Sequence, residues 1–100
     1  MAVVADFILP GLSPEDYDRI RAAVDWLGNP PERGIAHVTW WEGDDCHNVD
    51  VWEDEASMGG FIETRLAPAM AELGIQVEPR VTFHPAHEAF APSAVRITAT

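Results

Sequence analysis

Two alternating runs joined by a short polar turn constrain this chain most. Gly34 to Glu42 and Cys46 to Glu53 both read as strands, and Gly43-Asp44-Asp45 between them is a hairpin signal. A chain of 100 residues makes one domain with a limited core of its own. The flanking segments show what the hairpin packs into.

Val3 to Leu9 is apolar and β-rich, and Pro10-Gly11 stops it. Ser13-Pro14-Glu15-Asp16 reads as a helix start: serine caps, proline takes the first helical position, and two acids favour the positive helix end. Tyr17, Ile20, Val24 and Leu27 follow at helical spacing, and Gly28-Asn29-Pro30-Pro31 ends the helix. After the hairpin, Asp54 caps a second helix whose stripe is Met58, Phe61, Ile62, Leu66, Ala69, Met70 and Leu73. Gly59-Gly60 weakens its first half, Pro68 predicts a kink or break with a second piece starting near Ala67, and Gly74 ends it. Val77 to Phe83 is the last strand, with Pro79 and Pro85 marking an edge or its ends.

The order is β-α-β-β-α-β, the ferredoxin-like motif. It predicts a four-stranded antiparallel sheet with two helices on one face. The other face is bare in a single copy, and a second copy covering it would give a homodimer with a closed two-sheet barrel. Residues 1–90 form this domain. Residues 91–100 are a tail in which Ala94 to Thr98 are expected to add a short strand to a neighbour.

Acidic residues outnumber basic ones 17 to 6, for a formal charge of -11, which repels phosphate backbones and anionic membranes and argues against nucleic-acid and membrane partners. The single cysteine, Cys46, fits a reducing cytoplasm. The apolar run from Ala2 to Leu9 lacks a basic leader and is read as a strand, not a signal or a span.

At this stage the residues resemble the small actinobacterial proteins of the dimeric α+β barrel superfamily, close to the antibiotic-biosynthesis-monooxygenase-like domains. The matching pieces are Pro10-Gly11 with Tyr17-Asp18, Gly34-Ile35-Ala36-His37, Val49-Asp50-Val51-Trp52-Glu53, Phe61 with Arg65-Leu66-Ala67-Pro68-Ala69, and Pro85-Ala86-His87. The resemblance implies one of several activities: cofactor-free oxidation of aromatic polyketides, haem degradation, polyketide cyclisation, or lyase or isomerase chemistry. The haem-degrading branch ligates haem through a histidine on the second helix. None falls between Glu53 and Gly74 here, which argues against haem. Plant cyclases of the superfamily carry His-Pro-Ala-His near the second helix. Here His84-Pro85-Ala86-His87 follows the last strand, so no role is carried across.

Hairpin register sharpens the site. With Gly43-Asp44 as central turn residues, His37 faces Asp50 and Val38 faces Val49, opposed pairs lying about 4.5–5.5 Å apart at Cβ. With Asp44-Asp45 central, Thr39 faces Asp50 and His37 faces Trp52. In either register His37, Thr39, Asn48, Asp50 and Trp52 share one face, and Ala36, Val38, Val49 and Val51 the other. Histidine beside aspartate is a workable general base. His37 is thus the candidate base, Asp50 its orienting partner and His87 a second proton carrier. Asn48 is the candidate donor to an oxyanion. Trp52, Thr39 and Trp41 are candidate substrate contacts, with Trp40 the alternative to Trp41. Adjacent strand residues face opposite ways, so these two tryptophans cannot share a role.

Structural readings compete. The His–Asp pair alone can be a hydrogen-bonded strut, and Trp52 before a helix a packing anchor. His47 and His84 are expected to face solvent. His37, His84 and His87 match no standard zinc spacing, so no metal is assigned. With no phosphate-binding loop, dinucleotide fingerprint or nucleophilic-serine elbow, an enzyme here is expected to need no cofactor. It would act on a small aromatic or polyketide-like molecule by proton abstraction, as a monooxygenase, cyclase or isomerase. The alternatives are a non-catalytic small-molecule-binding dimer and an accessory subunit of a biosynthetic pathway.

Overall fold

Strand β1 (Val3–Leu9) alternates strictly between buried and half-buried residues, the signature of a strand with one face on a core. A computed structural model describes residues 1–93 and 95–98 and places β1 inside a four-stranded antiparallel sheet. The remaining strands are β2 (Gly34–Glu42), β3 (Asp45–Trp52) and β4 (Arg80–Pro85), in the spatial order β2-β3-β1-β4. Helix α1 (Pro14–Val24) follows β1. The second helix runs continuously as α2 (Glu55–Phe61), a π-helical turn (Ile62–Leu66) and α3 (Ala67–Leu73). This is the ferredoxin-like α+β fold that the segment order predicts.

The helix starts follow from local chemistry. Ser13 accepts from the Asp16 amide, and Asp54 accepts from the Ser57 amide, which holds its carboxyl below the usual carboxylate range. Helix α1 ends earlier than expected. Asp25 takes a left-handed conformation (φ 51°), its amide donating to the Arg21 carbonyl and its carboxylate accepting from the Gly28 amide. Leu27 therefore lies beyond the helix and is half exposed, not part of the buried stripe.

Pro68 interrupts the α-helix as expected, with a π-helical turn before it and the second α piece starting at Ala67. The Ala67 amide reaches back five residues to the Ile62 carbonyl, and this widened turn admits the proline ring at the start of α3. Within that turn, Arg65 donates to the carbonyls of Val24, Asp25 and Asn29. A guanidinium thus satisfies the carbonyl end of α1 and ties the two helices together.

The last strand begins at Arg80, not Val77, and runs to Pro85, past Phe83. Pro79 has no amide to give to the ladder, so pairing with β1 starts after it. The tail strand expected over Ala94 to Thr98 falls partly outside the described residues; residues 95–98 are exposed and belong to no strand. No helix among the described residues is long and apolar enough to cross a membrane.

The core lies between the sheet and the helices. Val3, Ala5, Phe7 and Leu9 supply its sheet side, with Ile20, Val24, Met58, Phe61 and Ala69 from the helices. Trp52 is 1 % exposed and meets Trp26 and Phe61 with ring centroids at 5.3 and 5.4 Å. The opposite sheet face carries Val4, Ala36, Val38, Trp40, Val49 and Val51. Val38 there is 59 % and Trp40 38 % exposed. Truncating Trp52→Ala is expected to cost about 3–5 kcal/mol, as buried aromatic truncations do, measured by urea unfolding.

Candidate active site

Strand pairing settles the register: Glu42 opposes Asp45, Val38 opposes Val49, and His37 opposes Asp50. The turn places Gly43 at φ +61°, a conformation that favours glycine. Asp45 accepts from the Gly11 amide at 3.1 Å, which ties the hairpin to the turn after β1. The pleat then turns His37, Thr39, Trp41, Asn48, Asp50 and Trp52 toward the helices.

His37 Nδ1 lies 2.6 Å from Asp50 Oδ1, and the Trp52 indole N–H donates to Asp50 Oδ2 at 3.4 Å. An ionised carboxylate only accepts, so Nδ1 carries the proton in that pair, and in the neutral imidazole the lone pair is then on Nε2. The Tyr17 hydroxyl lies 2.6 Å from that nitrogen. Four side chains from α1, β2 and β3 thus form one hydrogen-bonded line. The His37 side chain is 27 % exposed and that of Asp50 11 %, so the imidazole is reachable while its partner is shielded.

Aromatic rings wall this line. Tyr17 lies nearly parallel to the imidazole (6.0 Å, 8°), and Trp41 stands edge-on to Tyr17 (5.7 Å, 89°). The Trp41 indole N–H donates to the Leu12 carbonyl at 2.8 Å, which pins its ring. The Trp26 ring lies 5.8 Å from that of His37, tilted by 41°. It can do so because residue 34 is glycine: a Cβ there would fall 2.9 Å from the Trp26 ring and from Pro31.

The other expected site residues are dispersed. Thr39 donates to the His47 carbonyl at 3.1 Å, and the Cys46 thiol lies 3.7 Å from the Asn48 side-chain oxygen. Burial pushes that thiol's pKa up, which keeps it a thiol. Trp41, not Trp40, faces the site; Trp40 stacks on His47 on the open face at 5.3 Å. Trp52 is enclosed, so it presents no wall to a ligand and serves instead as packing and as a donor to Asp50. His47 departs from the expectation of a solvent-facing ring: its side chain is 14 % exposed, under Trp40 and 3.0 Å from Glu42. His84 is exposed on the open face, paired with Val4. His87 is exposed beyond β4, and no hydrogen bond among the described residues joins it to His37.

Tyr17 and Trp26 escaped the sequence reading. Tyr17 counted as part of an apolar helical stripe, yet its hydroxyl needed a partner once buried, and the polar face of the hairpin was the available one. Trp26 follows the helix end, and only Gly34, across the loop, marks its path.

No family model matches the chain, and no curated protein matches it. Solved structures do. SnoaB, a cofactor-independent oxygenase from Streptomyces nogalater, superposes with a TM-score of 0.65 at 12 % identity, over 92 % of this chain and 98 % of its own. NE2512, a protein of unknown function from Nitrosomonas europaea, gives 0.67 at 17 % identity, over 94 % and 98 %. A conserved protein from Methanosarcina mazei Go1 gives 0.59 at 14 % identity, over 84 % and 92 %. At such identities the likeness shows a shared fold.

Burial, with the nearby acids Cys46 and Asp50 adding to it, pushes the Tyr17 hydroxyl up to about 12. Tyr17 is the only tyrosine, so absorbance at alkaline pH reads it alone. A midpoint near the ordinary value of about 10 is expected in denaturant, and one about 12 in the native protein. Because the folded value is the higher, the stability it contributes is intact below the unfolded pKa. That stability is lost as pH climbs from there through the folded one. Alkaline urea titrations check the sign.

Proposed function

We propose that this chain is a small cofactor-free enzyme that takes a proton from an aromatic or polyketide-like molecule, with His37 as the base. One observation carries the reading: an imidazole held through Nδ1 by a shielded carboxylate and through Nε2 by the Tyr17 hydroxyl, with the Trp26 ring 5.8 Å away. Asp50 fixes the tautomer and stabilises the imidazolium that forms, and Trp52 holds the second carboxylate oxygen. Trp26 and Trp41 offer flat apolar surface near the base, suited to an aromatic ring. Asn48 supplies the hydrogen bond to the developing enolate or phenolate oxygen, and Thr39 lines the same face. His87 is not required for this step.

The anion has three fates: reaction with dioxygen, cyclisation or isomerisation. The likeness to a cofactor-independent oxygenase supports the first. In that branch a substrate methylene becomes a carbonyl. One oxygen atom enters the product and the other leaves as water, the carbon supplying the four electrons that dioxygen takes up.

We also propose that a second copy covers the open sheet face, where Val38 and Trp40 are exposed, and that residues 1–90 suffice for the fold while residues 91–100 extend the contact. The single thiol suits a cytoplasmic setting.

Anthrone, a tricyclic aromatic ketone with an acidic methylene, tests the activity. Oxygen uptake is expected with the native protein, and His37→Ala is expected to lower it roughly 10²–10⁴-fold. Turnover unchanged in that variant sinks the assignment. A rise in thermal midpoint with anthrone and no turnover favours a binding module instead. For the assembly, sedimentation should give a dimer that Val38→Asp converts to monomer; a native monomer would end that part of the proposal.

A further inference from the structure

Neither nitrogen of His37 is free. Nδ1 is bonded to Asp50, and the Tyr17 oxygen occupies the approach to the Nε2 lone pair at 2.6 Å. A substrate proton reaches that lone pair by one of two routes. Tyr17 swings aside, or the proton travels through its hydroxyl. The first route works against the packing. Tyr17 lies within α1, so its ring moves only by side-chain rotation, and the edge of Trp41 stands on it while Trp41 is itself bonded to the Leu12 carbonyl. The second route requires no movement.

We propose that Tyr17 is the catalytic residue that touches the substrate and relays its proton to His37. The substrate's O–H or acidic C–H bond breaks and its proton joins the Tyr17 oxygen, while the original Tyr17 proton moves to Nε2. The electron pair stays on the substrate as a phenolate or enolate. Tyr17 ends neutral, and the positive charge rests on the imidazole beside Asp50, whose far oxygen is held by Trp52. The high Tyr17 pKa fits this role, because the hydroxyl keeps its proton throughout the range in which a histidine base operates. The relay rests on the reading of His37 as the base.

Tyr17→Phe keeps the ring and its contact with Trp41 but removes the hydroxyl. The probe is anthrone under nitrogen in deuterium oxide, with deuterium entry at its methylene followed by proton NMR, which isolates proton abstraction from oxygen chemistry. We expect Tyr17→Phe to slow native-catalysed entry about 10²-fold with little change in KM and an unchanged far-ultraviolet spectrum. Oxygen-uptake rates in mixed light and heavy water should bow downward for the native protein, as two protons in flight require. Because Tyr17 is the sole tyrosine, biosynthetic difluorotyrosine replaces it alone, and an unchanged far-ultraviolet spectrum checks the fold. A relay predicts a several-fold change in rate with that more acidic phenol, and a structural latch predicts none. Tyr17→Phe as fast as native or faster, with His37→Ala inactive, overturns the relay and leaves the base standing. His37→Ala equal to native, or no deuterium entry with the native protein, overturns both.

Discussion

The pairing of His37 with Asp50 across β2 and β3 is the constraint on which the site depends. Strand alternation has a period of two, so a slip of one residue would send every side chain on β2 to the opposite face. His37 would then take Ala36's present place on the open face, opposite Val51, and Val38 would meet Asp50 beneath the helices. The short turn at Gly43 and the bond from the Gly11 amide to Asp45 oppose that slip. Hydrophobic sorting opposes it as well: on β3, buried Cys46, Asp50 and Trp52 alternate with half-buried His47, Val49 and Val51.

The fold was legible because its signals are local. Ser13 and Asp54 announce helices by side-chain capping, Gly74 ends one in a left-handed conformation, and Gly43 turns a hairpin. The end of α1 was less legible. Asp25 ends it in a conformation usually left to glycine, so no residue-type signature there outweighs the helical periodicity that continues to Leu27. Half the site was legible for the same reason: His37 and Asp50 meet through a hairpin, whose register is short-range. Tyr17 and Trp26 arrive from a separate element, and their meeting with His37 depends on how α1 docks onto the sheet. No spacing along the chain encodes that docking, which Arg65 fixes from the second helix.

The two sheet faces divide the chemistry. On the helix side, four polar side chains form a bonded line, from the Tyr17 hydroxyl through imidazole to carboxylate and indole. Among the described residues no buried side-chain nitrogen or oxygen lacks a partner, so the polar groups enter the interior without the penalty of unmade bonds. The other face is mostly aliphatic, and one of its histidines, His47, is covered by an indole and paired with a glutamate. A sheet this small leaves one of its surfaces without a covering layer of its own.

Gly34 has a wider consequence. It is partly exposed, lies on an edge strand next to a register irregularity, and contributes no atom to the hydrogen-bonded line. Yet a single added methyl would strike the indole that walls the imidazole. The space left empty at residue 34 therefore sets how closely the Trp26 ring approaches the imidazole, as surely as the groups that fill the rest of that face.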